Sequence, residues 1–468
     1  MVFGGYTLDK YKRLISNTVI FAIGTFSSKV LVFLLMPLYT RVLTDAEYGV
    51  TDLIVQTGNL LLPLVSLGII NAVIRFGLDR QVRKSDVFTT GLSAILVGFC
   101  VMLLLYPLLS LLDFLSDYTV LIYAFVLMSS LRSLCSQFVR ARGQVRLYAV
   151  DGIVSTLTTI LFNVLFLVAL DWGIFGYVLA IVCSDTLSVL FLGLNAQLWR
   201  FIRFKGLRRT VSKAMLKYAI PLIPNNVLWW ITNVSDRYMV AYLLGNDANG
   251  LYAVAYKVPS IVVLVSGIFM DAWQMSAITE TQGRGSFFTR VFRSYTSLLF
   301  ITGSGIILFS KVITKLLVSE AFYPSWQYIP FLVMATVFTC IVNFLGSIYM
   351  VEKKSMLSLA TTAVGAVTNV ILNFLLIPRF GVNGAAFATF ISYFVVFLLR
   401  AVDTRRFVRM RYSELRLAIN MILLLLQSFV MILELPYWIA MEIFLTALMI
   451  LLNAGELLVS LRKILARR

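Results

Sequence analysis

The feature that most constrains this chain is a succession of long apolar runs separated by very short connections. A run of about 20 residues, rising ~1.5 Å per residue, crosses the roughly 30 Å of hydrocarbon in a bilayer. Such runs lie at 15–40, 49–77, 87–109, 119–139, 147–170, 174–199, 215–243, 250–275, 291–317, 326–350, 355–377, 383–402, 416–434 and 437–460. They predict an all-α integral membrane protein with fourteen transmembrane helices.

The composition indicates a protein surrounded by lipid, and it excludes several kinds of metal-binding and catalytic site. With 60% hydrophobic and 13% charged residues, the chain lacks the polar surface that a soluble protein needs. It contains no histidine, which excludes a histidine metal ligand or general base. The cysteines lie singly inside apolar runs, without the paired spacing of zinc or redox sites, at Cys100, Cys135, Cys183 and Cys340. We therefore predict neither a metal site nor catalytic residues.

The positive charges are distributed unevenly between the connections. Basic residues concentrate in every second connection and at both ends of the chain, at 10–13, 80–84, 140–146, 200–217, 284–293, 353–354, 400–416 and 462–468. The intervening connections hold acids such as Asp45, Asp117 and Glu320. Because Lys and Arg resist translocation, this alternation predicts cytoplasmic N- and C-termini. The basic loops then face anionic headgroups, and no nucleic-acid partner is expected.

Two pairs of motifs indicate an internal repeat. "LTDAEYG" (43–49) and "LGNDANG" (244–250) share a Leu-to-Gly separation, and "NVLFLVALDWGIFGY" (163–177) resembles "NFLLIPRFGVNGA" (373–385). Both matches carry six predicted helices onto the next six, as in transporters built from parallel repeats. The predicted organisation is an N-lobe at 1–214, a C-lobe at 215–413, and a final helix pair with a basic tail at 414–468.

Several stretches, taken in their order along the chain, resemble one family. They are "LTDAEYG" (43–49), "GIINAVIRF" (68–76), "YAIPLIPNNVLWWITNVSDRYMV" (218–240), "GLYAVAYKVP" (250–259) and "RFGVNGAAFATFISY" (379–393). They are similar to the polysaccharide-transporter branch of the MOP superfamily, which contains the Wzx-type flippases of O-antigen, capsule and exopolysaccharide units. Lipid II flippases and MATE exporters are more distant relatives. The resemblance implies a MOP/MATE-like fold of two six-helix lobes around a central cavity.

The resemblance also implies a function. It is translocation of an undecaprenyl-pyrophosphate-linked oligosaccharide from the cytoplasmic to the outer leaflet of the bacterial inner membrane, by alternating access and without a cofactor. A polysaccharide polymerase and glycosyltransferases are candidate partners. Two alternatives stay open, a lipid II flippase and a MATE-like cation-coupled drug exporter. A membrane-bound polymerase or glycosyltransferase is disfavoured, because no external connection exceeds about ten residues.

Five cations fall inside the predicted spans and cannot be assigned to loops. Arg75 and Arg132 lie toward the cytoplasmic side, Lys29 near the middle, and Arg237 and Lys257 toward the outside. Each costs about 2.5–3.5 kcal/mol at a helix centre, so each needs water, a counter-ion or an escape to the interface. If they line a cavity, they offer successive partners to a pyrophosphate. The alternative for Arg75 is snorkelling to the headgroups.

Three acids also fall inside the spans, namely Asp52, Asp185 and Asp236. They either neutralise the buried cations in structural pairs or bind a coupling proton or sodium ion. Asp236 is an awkward partner for its neighbour Arg237, because adjacent helix positions point about 100° apart. Asp236 therefore either pairs with a group elsewhere or binds a coupling proton or sodium ion.

A tryptophan pair lies in the seventh predicted span. Trp229 and Trp230 follow Pro221 and Pro224, which remove backbone donors and favour a bend. The motif match places Trp230 at the repeat position of Lys29, which suggests a phosphate-facing lobe and a sugar- or lipid-facing lobe. Trp229 and Trp230 are thus candidates for substrate contact, and ordinary aromatic packing is the alternative.

Overall fold

A computed structural model describes residues 35–79, 81–104, 106, 116–279, 284–352, 354–410 and 413–465. Within these ranges every regular element is helical. The chain forms two compact units. The first extends to Val227, and the second begins at Leu228 and also contains the short segment Thr44–Gly49.

The first unit is built from long helices joined by short turns. They are α1 (Asp45–Val65, whose first five residues belong to the second unit), α2 (Ile69–Leu78), α3 (Lys84–Leu104), α4 (Thr119–Ala141), α5 (Val145–Asn163), α6 (Gly173–Ala196) and α7 (Arg209–Ala219). A π-helical turn, Val164–Ala169, continues α5. Helix α6 packs against both α4 and α5, and α2 packs against α4 and α7. This packing places the polar faces of α4, α5 and α6 together.

The second unit is arranged around one central helix. Its helices are α8 (Ile223–Leu244, beginning just before the unit boundary), α9 (Asn246–Ala255), α10 (Ser260–Thr279), α11 (Arg284–Leu308), α12 (Ser310–Leu317), α13 (Ile329–Val351), α14 (Ser355–Asp403), α15 (Glu414–Leu433) and α16 (Trp438–Leu465). Helix α13 packs against α10, α11, α14 and α15. Its Phe338 contacts Phe390, Phe394 and Phe397 edge-on, which fixes α13 against α14.

The outer surface of these helices is apolar, as expected for a protein surrounded by lipid. In the described ranges ten helices are long and apolar enough to cross a membrane, and eleven if the bent pair α1–α2 forms one span. Phe444 and Leu451 on α16 are 67% and 76% exposed. Side chains of this kind would be costly in water and are stable against lipid tails. The chain is a multi-pass membrane protein, and the predicted all-α class is confirmed.

The predicted count of fourteen remains a prediction. Most of the first predicted span, 15–40, lies outside the described residues. The merged helix α14 has 49 residues, which would extend ~74 Å and exceed a bilayer. Gly381, with φ 60°, interrupts it and separates two segments near the predicted spans 355–377 and 383–402. Helix α8 occupies the predicted seventh span, but it is not among the ten apolar helices.

The predicted second span, 49–77, is broken where the sequence analysis expected one helix. Helices α1 and α2 meet at 54°. The break follows Pro63 in the last turn of α1, and the two residues before α2, Leu67 and Gly68, have φ values of 50° and 62°. Glycine is required at the second position, because a Cβ there would also lie 2.9 Å from the carbonyl oxygen of Ala219. Membrane-buried breaks of this kind persist where they line a cavity or a protein interior.

Candidate substrate and ion-coupling sites

Asp236 lies at the centre of a fully buried polar cluster in the second unit. Its side chain is completely shielded on α8. Its Oδ2 accepts hydrogen bonds from Tyr252 Oη at 2.7 Å, Tyr256 Oη at 3.0 Å and Thr389 Oγ1 at 3.0 Å. A carboxylate taken out of water needs such donors to offset its lost hydration. The donors to this one acid, which lies on α8, therefore come from α9, from the turn that follows α9, and from α14.

Two buried asparagines extend this cluster along α14. Asn369 Nδ2 donates to Thr389 Oγ1 at 3.2 Å, and Asn369 Oδ1 accepts from Ser235 at 3.2 Å and from Asn373 Nδ2 at 2.9 Å. The Oδ1 atom of Asn373 is buried and has no hydrogen-bond partner in the described part of the chain. The cluster is thus rich in oxygen atoms and contains a single carboxylate. Such a set suits a proton on the carboxylate or a small hard cation among the oxygens.

The predicted cations of this unit lie beside that cluster. Arg237 is 7% exposed, and its guanidinium carbon lies 4.5 Å from the ring centroid of Tyr256. Its backbone N–H donates to Asp236 Oδ1 at 2.9 Å. Lys257 is half-buried in the turn between α9 and α10. The structure therefore brings Asp236, Arg237 and the Tyr256–Lys257 turn together, although these residues come from different predicted spans.

Arg132 in the first unit forms a close ion pair. Its Nη1 donates to Asp185 Oδ1 at 2.8 Å, and Ser129 also donates to that carboxylate. Asp185 is 5% exposed in its side chain, whereas 32% of the Arg132 side chain is accessible. Because a guanidinium carries five N–H donors, this pairing leaves other donors of Arg132 for a ligand. Pairing and ligand contact, posed as alternatives at the sequence level, are compatible in this geometry.

A second carboxylate, Asp151, lies in the same region and was missed by the sequence analysis. It is 2% exposed, accepts a hydrogen bond from Ser188, and interacts electrostatically with both Arg132 and Asp185. Arg132 on α4 thus pairs with Asp185 on α6, and a second buried acid on α5 lies within electrostatic range of both. The signal was available, since Asp151 falls inside the predicted span 147–170.

Of the remaining predicted site residues, Arg75 and Asp52 lie in the described ranges. Arg75 is exposed near the end of α2, 4.6 Å from the ring centroid of Tyr218. Asp52 is 8% exposed and accepts a hydrogen bond from Gln56 at 3.4 Å. Lys29 lies outside the described residues. Each of these three residues stays a prediction as a substrate or ion ligand.

The two tryptophans differ in their surroundings. Trp229 is 56% exposed on α8, and Trp230 is half-buried with its ring 5.4 Å from that of Tyr238. Aromatic packing therefore accounts for part of the surface of Trp230. Trp229 has the more accessible ring for a sugar or lipid, and both residues stay predictions as substrate contacts.

A match to a sequence family shows which kind of protein contains these clusters. Residues 14–274 match the sequence model of a family described as polysaccharide biosynthesis protein. The chain belongs to this family. The family membership expected from the sequence motifs is confirmed.

Relatives of this polysaccharide biosynthesis protein include known and presumed transporters. A Haloferax volcanii protein described as a probable low-salt glycan biosynthesis flippase is 23% identical over 207 residues, which is 43% of this chain and 44% of that protein. The alignment thus spans less than half of the relative. The lipid II flippase MurJ, in an inward closed conformation, is similar with a TM-score of 0.70 and 14% identity over 96% of this chain and 100% of MurJ.

A further solved structure extends the likeness to exporters. An inward-facing multidrug resistance MATE family transporter of the MOP superfamily has a TM-score of 0.60 and 14% identity over 82% of this chain and 98% of its own. At these identities the likenesses establish the fold alone. The chain therefore has a fold like those of MurJ and this MATE transporter, as its sequence predicted.

Proposed function

We propose that this protein is a flippase that moves an undecaprenyl-pyrophosphate-linked oligosaccharide from the cytoplasmic to the outer leaflet by alternating access. The observation that carries the proposal is the placement of arginines in helices that occupy predicted spans of a polysaccharide biosynthesis family member. Arg132 keeps an accessible side chain in α4, and Arg237 is buried in α8. Each cation within a span costs free energy on insertion, and the accessible part of the Arg132 side chain does not recover that cost through packing.

The proposed mechanism follows from this charge. The pyrophosphate of the carrier lipid meets arginine donors that form short, charge-assisted hydrogen bonds with phosphate oxygens. The polyprenyl tail stays in the bilayer, and the saccharide follows the phosphate through a hydrated cavity. The flippase performs no covalent chemistry in this mechanism. Its proposed setting is the bacterial inner membrane with both termini cytoplasmic, beside glycosyltransferases and a polymerase that supply and consume the lipid-linked unit.

We propose that Asp236 couples transport to a proton or sodium gradient. Its support is the single carboxylate among hydroxyl and amide oxygens, shielded from water on every side. Binding or release of one cation there changes the charge of a buried cluster that joins α8, α9 and α14. Since an uncompensated buried charge is expensive, the two charge states favour different packing of these helices. Asp185 and Asp52 remain further candidates for coupling.

The alternatives differ in their cargo. A lipid II flippase shares the polyprenyl pyrophosphate and differs in the sugar. A MATE-like exporter carries cationic drugs, which basic side chains within the spans would repel. We therefore favour a phosphate-bearing lipid over a drug.

Reconstituted proteoliposomes test the proposal. The full-length protein is given a fluorescent lipid-linked oligosaccharide, lipid II or a cationic dye, and movement between leaflets is followed by quenching from one side. We expect faster flipping of the lipid-linked oligosaccharide and no dye export. Transport of lipid II alone would support the first alternative. Dye export without lipid flipping would overturn the proposal.

Variants of Arg132 test the role of the charge. We expect Arg132→Gln to reduce flipping at least tenfold, corresponding to loss of about 1.4 kcal/mol of phosphate interaction. Arg146→Gln, at an exposed position one loop away, is the matched control and should flip at the wild-type rate. The double variant Arg132→Gln with Asp185→Asn restores charge balance. Recovery of transport in the double variant would show that Arg132 serves only the ion pair.

A further inference from the structure

A small cavity opens at the break between α1 and α2, inside the first unit. It has a volume of about 140 Å³. Its polar lining residues come from the break itself, from α2, α4 and α8, and are Ser66, Asn71, Ser130, Ser133 and Asn226. The volume accommodates several water molecules or one oxyanion such as a phosphate group. It is too small for an oligosaccharide.

The N-terminus of α2 faces this cavity. Gly68, with φ 62°, turns the chain into α2, and Ile70 and Asn71 of its first turn line the cavity together with Gly68. The N–H groups of Gly68 and Ile69 already donate to the carbonyl oxygens of Pro63 and Ser66. The contribution of this end of α2 is therefore the partial positive charge of the helix dipole. Half-helices broken within a membrane use this end to bind anionic groups.

A buried hydroxyl independently indicates a ligand. Ser130 is 1% exposed, lines the cavity, and its Oγ has no hydrogen-bond partner in the described part of the chain. A buried hydroxyl without a partner is costly, which is explained if a bound group supplies the partner. The described residues that line the cavity include no acidic side chain. Its donors are hydroxyls and the side-chain amides of Asn71 and Asn226, so an anion is favoured over a cation.

We infer that this cavity binds one phosphate of the lipid-linked substrate, through the Ser130 hydroxyl, the Asn71 and Asn226 amides and the N-terminus of α2. The inference rests on the proposed flippase function. The same chemistry would bind a free phosphate or pyrophosphate ion, so the source of the anion has to be distinguished. Arg75 lies one turn beyond Asn71, in the last turn of α2, and the assignment of the cavity does not depend on it.

Binding to the purified full-length protein in detergent tests the inference. Isothermal titration calorimetry compares farnesyl pyrophosphate, farnesol and inorganic pyrophosphate. We expect Ser130→Ala to weaken farnesyl pyrophosphate binding about tenfold, the effect of one hydrogen bond to a charged group. Asn71→Asp should weaken it further, because a carboxylate repels phosphate. Ser136→Ala, the same substitution on α4 away from the cavity, is the matched control.

The melting temperature separates a ligand role for Ser130 from a structural one. Removal of a hydroxyl without a protein partner should leave the melting temperature unchanged or raise it, and we expect this for Ser130→Ala. A lower melting temperature with unchanged affinity would overturn the inference. Unchanged affinity in both cavity variants would do the same.

The remaining outcomes separate the cavity from the proposed function. If the wild-type protein binds farnesol as well as farnesyl pyrophosphate, the phosphate plays no part and the proposed function itself fails. If it binds inorganic pyrophosphate but no farnesyl pyrophosphate, the anion is soluble and the assignment to the lipid-linked substrate is overturned. Binding of farnesyl pyrophosphate that weakens in Ser130→Ala and Asn71→Asp supports the inference.

Discussion

Arg400 is a buried cation whose hydrogen-bond partners, in the part of the chain that the structure describes, are all neutral. It is 5% exposed on α14, and its guanidinium donates to the carbonyl oxygen of Val342 at 2.9 Å, to Thr361 Oγ1 at 3.0 Å and to Thr362 Oγ1 at 3.1 Å. These bonds join α13 to both segments of α14. Space for the guanidinium exists because Gly346 on α13 has no side chain. The arginine therefore acts as a clamp, with the free energy of its lost hydration offset by several hydrogen bonds.

A methyl group at position 346 should disturb this clamp. The Cβ of Gly346→Ala would lie 2.6 Å from Arg400 Nη1, and the guanidinium cannot move without losing its hydrogen bonds. We expect the free energy of unfolding to fall by about 1–3 kcal/mol, measured by thermal unfolding in detergent. Gly305→Ala on α11 is the control, because its Cβ would meet no atom within 4 Å. Equal melting temperatures for Gly346→Ala and wild type would contradict the clamp.

For individual site residues, the sequence predicted the depth in the membrane but not the partners of the side chains. The depth of Arg132, Asp185, Asp236 and Arg237 followed from their positions in the apolar runs. Their partners did not follow, because hydropathy gives a residue's depth and not the direction of its side chain. Arg400 was assigned to a cytoplasmic loop for the same reason, since a cation near a helix end can snorkel outward or turn inward.

At the scale of elements, the two repeat motifs contact each other within the second unit. Gly49 at the start of α1 and Gly250 on α9 lie at a close crossing, where a Cβ on Gly49 would lie 2.1 Å from the carbonyl oxygen of Asn246. A Cβ on Gly250 would lie 1.9 Å from the carbonyl oxygen of Asp45. Each glycine thus faces the residue four positions before the other. Asn249 Nδ2 adds a hydrogen bond to the carbonyl oxygen of Gly49 at 2.9 Å.

Replacing either glycine with alanine should push α1 and α9 apart. The obstructing atoms are backbone, so no side-chain rotation can relieve the overlap. We expect Gly49→Ala and Gly250→Ala each to lower the free energy of unfolding by about 3 kcal/mol, the upper part of the range for overpacking. The double variant should cost less than the sum, because the first methyl already opens the crossing. Fluorescence-detected thermostability checks both expectations.

A glycine on another helix serves as the control for these two variants. Gly267→Ala on α10 introduces the same methyl where no atom lies within 4 Å, and its stability should equal or exceed that of wild type. If Gly250→Ala is no less stable than Gly267→Ala, the close crossing does not exist in the folded protein.

The positions of the helices were predicted better than the breaks and the buried polar contacts within them. The apolar runs gave most helices, because about 20 residues of hydrocarbon-compatible sequence have few alternatives to a helix in a bilayer. The break at Leu67–Gly68 was missed, since apolar residues continue through it. The buried acid Glu442 on α16 was also missed; it is 0% exposed and accepts from Gln427 on α15 at 3.0 Å. Polar contacts of this kind join membrane helices, and they depend on which faces meet.

At the scale of the whole molecule, transport against a gradient requires a site whose occupancy changes during the cycle. A ligand shifts a conformational equilibrium only by its difference in affinity for the two states. The Asp236 cluster connects α8 with α9 and α14, so a change in its charge acts on several helices at once. The arginines bind the cargo in this scheme, and the buried acid binds the driving ion. Substitution of the arginines and substitution of the buried acid should therefore have different effects on transport.

Asp236→Asn should therefore separate coupling from flipping. The amide keeps the shape of the carboxylate and an oxygen that accepts from Tyr252 and Thr389, but it cannot take up a proton or carry the charge that attracts sodium. In proteoliposomes we expect the variant to flip lipid-linked oligosaccharide at the rate that wild type shows without a gradient. An imposed proton or sodium gradient should then have no effect on the variant, while it accelerates wild type.

The matched control is Asp247→Asn, which makes the same chemical change at an exposed position on α9. It should respond to the gradient as wild type does. The melting temperature of Asp236→Asn is measured in parallel, because the buried Arg237 loses a nearby negative charge and a lower stability is expected. Flipping rates are therefore compared at equal amounts of folded protein. If Asp236→Asn still accelerates with both gradients, the driving ion binds elsewhere, and Asp185 with Asp151 becomes the next pair to substitute.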